Sequence, residues 1–199
     1  MLLDDVQFKT GSFFNRNFIN TQSGPVLLTV PVSRAALDSE IRDVKVANAH
    51  WQKKHYNALI QSYSKAPFFK DHVNYIETVY LKSHWESLID LNINIINYAI
   101  RYLRIDASVI LSSSLNIETK SSERLVDICR SLNASMYLSG PGGRKYLDEE
   151  LFAQSDLLIH YQNYSSAPYK TIHREFVPNL CFWDIFMNMG EACRDVIEG

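Results

Sequence analysis

A chain of 199 residues is long enough to bury one substantial core and too short for two comfortable ones. Its hydrophobic fraction of 46% and charged fraction of 21% are those of a globular protein and exclude a disordered one. Lys and Arg number 20 against 22 Asp and Glu, so the net charge of -2 gives no electrostatic reason to expect a nucleic-acid partner.

Met1-Leu2-Leu3 reads as the last residues of a strand, with Asp4-Asp5 at its carboxyl end. These acids arrive before any apolar run forms, so no signal peptide is expected. No apolar stretch approaches a membrane span, and a cytoplasmic location follows as the expectation. Val6 to Asn20 reads as a loop with a short hairpin arm, and Pro25 to Pro31 as a strand framed by turn residues. A helical pattern runs from Ala35 to about Ser64, with room for a short strand at Ile41 to Val46. Another follows Pro67, from Phe68 to Val79. Ser83 with Glu86 has the spacing of a capping box for a helix reaching Leu103.

The second half alternates more regularly. Ser108 to Leu115 reads as a strand, Ser121 to Leu132 as a helix and Ser135 to Leu138 as a strand with a glycine-rich exit. A short helix at Asp148 to Phe152 and a strand at Asp156 to Tyr161 come next. The last element is an amphipathic helix from Leu180 to Met189, broken by Gly190. Strands alternating with helices through short connections imply an α/β layered fold, with a mostly parallel or mixed sheet flanked by helices. No linker or repeat divides residues 1–199, so a single domain is expected.

Four clusters carry chemistry-bearing side chains. Asp4 and Asp5 suit a divalent metal, the orientation of a base or amine, or a solvated turn; as strand neighbours they serve one site only if the chain turns there. Asn15-Arg16-Asn17 offers a forked guanidinium between amides for a phosphate or carboxylate, or else forms a hairpin tip with a surface ion pair. On a helix His50, Lys53 and Lys54 share one side, where a histidine could move a proton beside two cations; a basic solvated face over Trp51 is the plainer alternative. Ser139-Gly140-Pro141-Gly142-Gly143-Arg144 follows a strand, where glycines let backbone amides approach an anion and Arg144 adds counter-charge, or where the chain merely turns tightly. Ser112 to Ser114, at the end of the preceding strand, could face the same crevice. Cys129, Cys181 and Cys193 lack metal-ligand spacing, and an odd number of cysteines argues against a disulfide framework; buried or half-buried thiols are expected. His84, His160 and His173 lack convincing partners, and His160 reads as a structural histidine. No nucleophile elbow, zinc signature or triad occurs.

Leu3-Asp4-Asp5-Val6-Gln7-Phe8, Asn15-Arg16-Asn17, Leu28 to Val32, Tyr63 to Phe69, Tyr137 to Gly140 and Tyr146-Leu147 together resemble the WbqC-like family. Phe176, Pro178, Asp184, Asn188 and Gly190 fit as well. The resemblance covers nearly the whole chain and begins inside the second strand of the family's pattern, so the expected domain is abbreviated at its N terminus. It implies a bacterial setting in O-antigen, capsule or related polysaccharide biosynthesis. Within that setting the expected function is acyl or aminoacyl transfer to an amino-sugar nucleotide. His50 is then the candidate base, Asp4 and Asp5 orient an amine or a divalent ion, and Asn15 to Asn17, Lys53, Lys54, Ser139, Gly140, Gly142, Gly143 and Arg144 bind substrate. Two alternatives stand beside it: a non-catalytic sugar-nucleotide-binding or assembly protein, and a protein that uses nucleic acid or aminoacyl-tRNA.

Overall fold

A computed structural model describes residues 1–34, 39–173 and 175–198. In chain order the elements are β1 (Arg16–Ile19), β2 (Val26–Thr29), α1 (His50–Tyr63), α2 (Phe69–Glu77), α3 (Leu88–Tyr102), α4 (Ser121–Ser131), β3 (Met136–Ser139), α5 (Glu149–Gln154), β4 (Leu158–Tyr161), α6 (Phe182–Met189) and α7 (Cys193–Glu198). They form two compact units. The smaller joins Met1–Asp5 to Ser108–Ser165; the larger comprises Val6–Ala107 and the chain from Ser166 onward. Helices accompany short strands, as the alternating patterns imply. The four strands make two separate pairs, β1–β2 antiparallel and β3–β4 parallel.

In the larger unit the β1–β2 hairpin turns through Thr21 and Gly24, whose backbones exchange two hydrogen bonds of 3.1 Å while Gly24 takes a φ of 102°. On α1, Trp51, His55, Leu59 and Tyr63 fall four residues apart and make one buried stripe. They pack with Ile76, Val79, Leu88, Leu91 and Met187 in a core where each large apolar side chain contributes about 2 kcal/mol. The chain leaves α6 at Gly190, where a φ of 59° and the Phe68 ring 2.5 Å from any added Cβ both require glycine.

In the smaller unit Leu2 bridges Leu111 in parallel, its amide donating to Ile110 and its carbonyl accepting from Ser112. β3 and β4 pair from Met136 with Leu158 to Ser139 with Tyr161. Their inward residues Tyr137 and Ile159 pack on a core of Val126, Cys129, Phe152 and Leu157 built with α4 and α5. Asp148 caps α5 by accepting from the Leu151 amide at 3.0 Å.

Several boundaries differ from the sequence expectations. Ser83 and Glu86 form no capping box: α3 starts at Leu88, Lys45 bridges Ser87, and the Glu86 carbonyl accepts from the Val46 amide. The strand expected from Ser108 to Leu115 does not form: only Leu111 pairs, as an isolated bridge to Leu2, and Ser112 and Ser113 turn their hydroxyls onto Asp4 and Asp5 and enter a 3-10 turn instead. Ile41–Asp43 is a 3-10 turn, not a strand. Arg16 and Asn17 lie within β1, and the hairpin tip belongs to residues 21–24. His160, read as a structural histidine, is exposed on β4. Residues 35–38, where the first helical pattern was expected to open, lie outside the described residues; residues 39–49 are not α-helical, and the helix of that pattern opens only at His50.

Candidate functional site

Two parallel pairings in the smaller unit end in polar groups. Beyond the Leu2–Leu111 bridge stand Asp4, Asp5, Ser112 and Ser113; beyond β3 stands the Gly140–Lys145 turn, with Tyr161 the last residue of β4. The chain bends at Asp5, so the two adjacent carboxylates reach one partner, as a shared role requires. Asp4, 1% exposed, accepts from the Ser113 amide at 3.0 Å, the Ser113 hydroxyl at 2.6 Å and the Ser112 hydroxyl at 3.2 Å. Burial pushes its carboxyl upward, but these bonds outweigh burial and hold it below the usual value. Asp5 accepts from the Ser112 hydroxyl and pairs with Arg124 at 2.6 Å, and Arg124 also donates to the Ile117 carbonyl at 3.0 Å. The five side chains lock the N-terminal segment, the Ser112 turn and α4 together. Among the described residues no three His, Cys, Asp or Glu side chains group as a metal site would.

The glycine turn is built differently. Gly143 is forced by packing, since an added Cβ would overlap the Ser139 hydroxyl, which itself donates to the Gly140 carbonyl at 3.0 Å. Gly140 and Gly142 have no such reason: an added Cβ meets nothing within 4 Å, and neither has a positive φ. Arg144 sits 4.0 Å over the Tyr161 ring, and the Tyr161 hydroxyl donates to Glu149 at 2.6 Å. That bond to Glu149 raises the Tyr161 pKa.

In the larger unit His50, Lys53 and Lys54 are exposed at the start of α1, over the buried Trp51 and His55 rings. Asn15 donates to the Val30 carbonyl at 2.9 Å, Arg16 to the Gly11 carbonyl, and the Asn17 side chain accepts from the Phe18 amide. These three residues brace their own hairpin. The expected clusters thus divide between the units: Asp4, Asp5, Ser139 and the glycine turn in one, Asn15 to Asn17 and the α1 cations in the other.

The larger unit also contains a buried network that the reading of clusters missed. Asp184, 1% exposed, accepts from the Tyr63 hydroxyl at 2.8 Å and the Tyr169 hydroxyl at 2.7 Å; the Tyr63 oxygen accepts from the Asn20 amide at 2.9 Å. Asn188 donates to the Asp184 carbonyl at 2.7 Å and accepts from the Ile172 amide at 2.9 Å. Burial, with Cys181 and Asp184 nearby, raises the Tyr63 pKa far above that of a free phenol. Burial likewise lifts the Cys181 and Cys193 thiols to about 12 and about 11, which leaves neither a ready nucleophile.

The WbqC-like protein family matches residues 1–196. The chain belongs to that family. It is also 29% identical over 200 residues to the uncharacterized protein Rv1507c of Mycobacterium tuberculosis (strain ATCC 25618 / H37Rv), a match covering 100% of this chain and 87% of that protein. No solved structure matches. Of the residues that carried the WbqC-like resemblance, Tyr63, Asp184 and Asn188 form the buried network. That grouping was the available signal for it, since composition and spacing alone gave none. Among the described residues of this WbqC-like chain, no helix is long and apolar enough to cross a membrane.

Proposed function

We propose that this WbqC-like chain is a transferase that places a small acyl or aminoacyl group on an amino-sugar nucleotide, whose phosphates the Gly140–Arg144 turn holds. Family membership suggests a role in bacterial surface-glycan biosynthesis and supports the substrate class. The observation that carries the phosphate assignment is the pair Gly140 and Gly142, which neither backbone conformation nor internal packing requires to be glycine. Uncovered backbone beyond the carboxyl ends of parallel strands is where α/β proteins commonly take anionic ligands. Arg144, braced on Tyr161, supplies a positioned guanidinium, and the exposed Lys145 adds charge.

Transfer needs an acceptor amine free of its extra proton and donors for the developing oxyanion. His50, Lys53, Lys54 and Asn15 to Asn17 belong to the larger unit and are assigned no part in the phosphate site of the smaller one. Asp4 and Asp5 are occupied by Ser112, Ser113 and Arg124, and in this reading they hold the N-terminal segment of the smaller unit in place. The test is to incubate the chain with amino-sugar nucleotides and activated acyl or aminoacyl donors, and to weigh the sugar product by mass spectrometry. One added acyl mass, lost in Arg144→Ala, is expected. Full transfer by Arg144→Ala would remove its proposed role, and binding without any product would favour an assembly protein.

A further inference from the structure

The polar network of the larger unit has a floor and a cover. Tyr63, Asn20, Asp184 and Asn188 are 0%, 2%, 1% and 7% exposed, and they arrive from α1, the end of β1 and α6. Burying so many polar side chains together costs stability unless every donor and acceptor is matched, so such clusters call for a reason. Over them run residues 166–173, without regular secondary structure and with no residue buried; 175–180 share both properties. Connections of this length are uncommon unless they cover or bind something.

Two donors on this stretch fasten it to the floor. The Tyr169 hydroxyl reaches Asp184 Oδ2 at 2.7 Å, and the Ile172 amide reaches Asn188 Oδ1 at 2.9 Å. Next to them, His173 sets its ring edge-on to Tyr63 with centroids 5.6 Å apart, and its Nε2 is buried without a hydrogen-bond partner. Lifting residues 166–173 would take the nearer donor from Asp184 Oδ2 and the amide donor from Asn188 Oδ1 at once, leaving the Asn188 side-chain amide 3.4 Å from Oδ2 while Tyr63 goes on holding Asp184 Oδ1 at 2.8 Å. The vacated floor then offers two acceptors, one on a carboxylate. Its complement is a ligand with two neighbouring donors, one of them cationic.

We propose that Asp184, Asn188 and Tyr63 form a binding site for an amino sugar, whose ammonium and adjacent hydroxyl take the places of the Tyr169 and Ile172 donors, and that residues 166–173 are the strap exchanged for it. The site lies wholly within the larger unit and goes beyond the transfer reading. It rests on that reading only for the choice of a sugar, because the donor pattern comes from the network itself. Ligand and strap compete for the same acceptors, so weakening the strap strengthens ligand binding.

The experiment is hydrogen exchange on the intact chain, wild type and Tyr169→Phe, titrated with glucosamine and, separately, with N-acetylglucosamine. Without ligand, Tyr169→Phe exchanges the amides of residues 167–173 on the order of tenfold faster, reflecting one lost hydrogen bond to a carboxylate. Glucosamine should change exchange in residues 167–173 saturably, at lower concentration in Tyr169→Phe than in wild type, while N-acetylglucosamine has little effect. No response to glucosamine in either protein, or an equal response to N-acetylglucosamine, would overturn the proposal. Neither result touches the phosphate assignment, which is read with nucleotides at the glycine turn.

Discussion

At the residue scale, two buried ionisable groups set how the protein responds to acid. Asp4 is held below the usual carboxylate value because hydrogen bonds from Ser113 and Ser112 outweigh the cost of burial. Its contribution is complete above the unfolded-chain value of about 3.9 and disappears as pH falls through the lower folded value. Asp4→Asn removes this dependence and costs about 2 kcal/mol at neutral pH, measured by urea unfolding. His55 acts at higher pH. Burial brings its pKa down to about 4, against the Thr29 carbonyl it bonds at 3.1 Å, with Lys54 adding to the fall. The fold therefore keeps His55 neutral, whereas the unfolded chain takes up a proton near 6.5. Stability is full above that value and falls by about 3 kcal/mol as pH drops to about 4. Unfolding curves of wild type and His55→Gln across that window should diverge; parallel curves would contradict the assignment. Burial depresses His72 and His173 in the same direction.

At the scale of elements, the glycine turn after β3 separates structural from ligand-facing positions. Gly143→Ala drives a methyl into the Ser139 hydroxyl and should cost about 1–3 kcal/mol, whereas Gly142→Ala meets open space and should leave the melting temperature unchanged. Comparable losses at both positions would show that the turn is packed throughout. Helices were legible in the sequence wherever a single stripe faced a core, as in α1, α4 and α6, and where Gly190 ended one. The start of α3 was not, because residues 84–87 carry helix-like spacing while their backbone pairs with the segment at Lys45 and Val46. The strand expected at Ser108 was reduced to the Leu111 bridge for a similar reason, since hydroxyl bonds to Asp4 and Asp5 depend on residues more than a hundred positions away. Long-range partners of this kind leave no periodic trace.

At the scale of the molecule, the sequence located the polar clusters but not their grouping. Asp4, Asp5 and the glycine turn share a unit assembled from both an N-terminal and a central stretch, while His50, Lys53, Lys54 and Arg16 belong to the other. The buried Tyr63–Asp184–Asn188 network was visible only as scattered residues of a family resemblance, because its members lie up to 125 positions apart and meet through tertiary packing. What unites these observations is a WbqC-like chain with bare backbone beyond its parallel strands, read as a sugar-nucleotide site. The most direct test is a thermal-shift comparison of wild type and Gly142→Val against UDP-, dTDP- and CDP-linked amino sugars, with and without magnesium, since binding to the folded state raises its apparent stability. A selective rise for one amino-sugar nucleotide in the wild type, absent from a Gly142→Val variant that melts like the wild type without ligand, is the predicted result. No rise with any nucleotide in a protein shown to be folded, or the same rise in both proteins, would contradict the account.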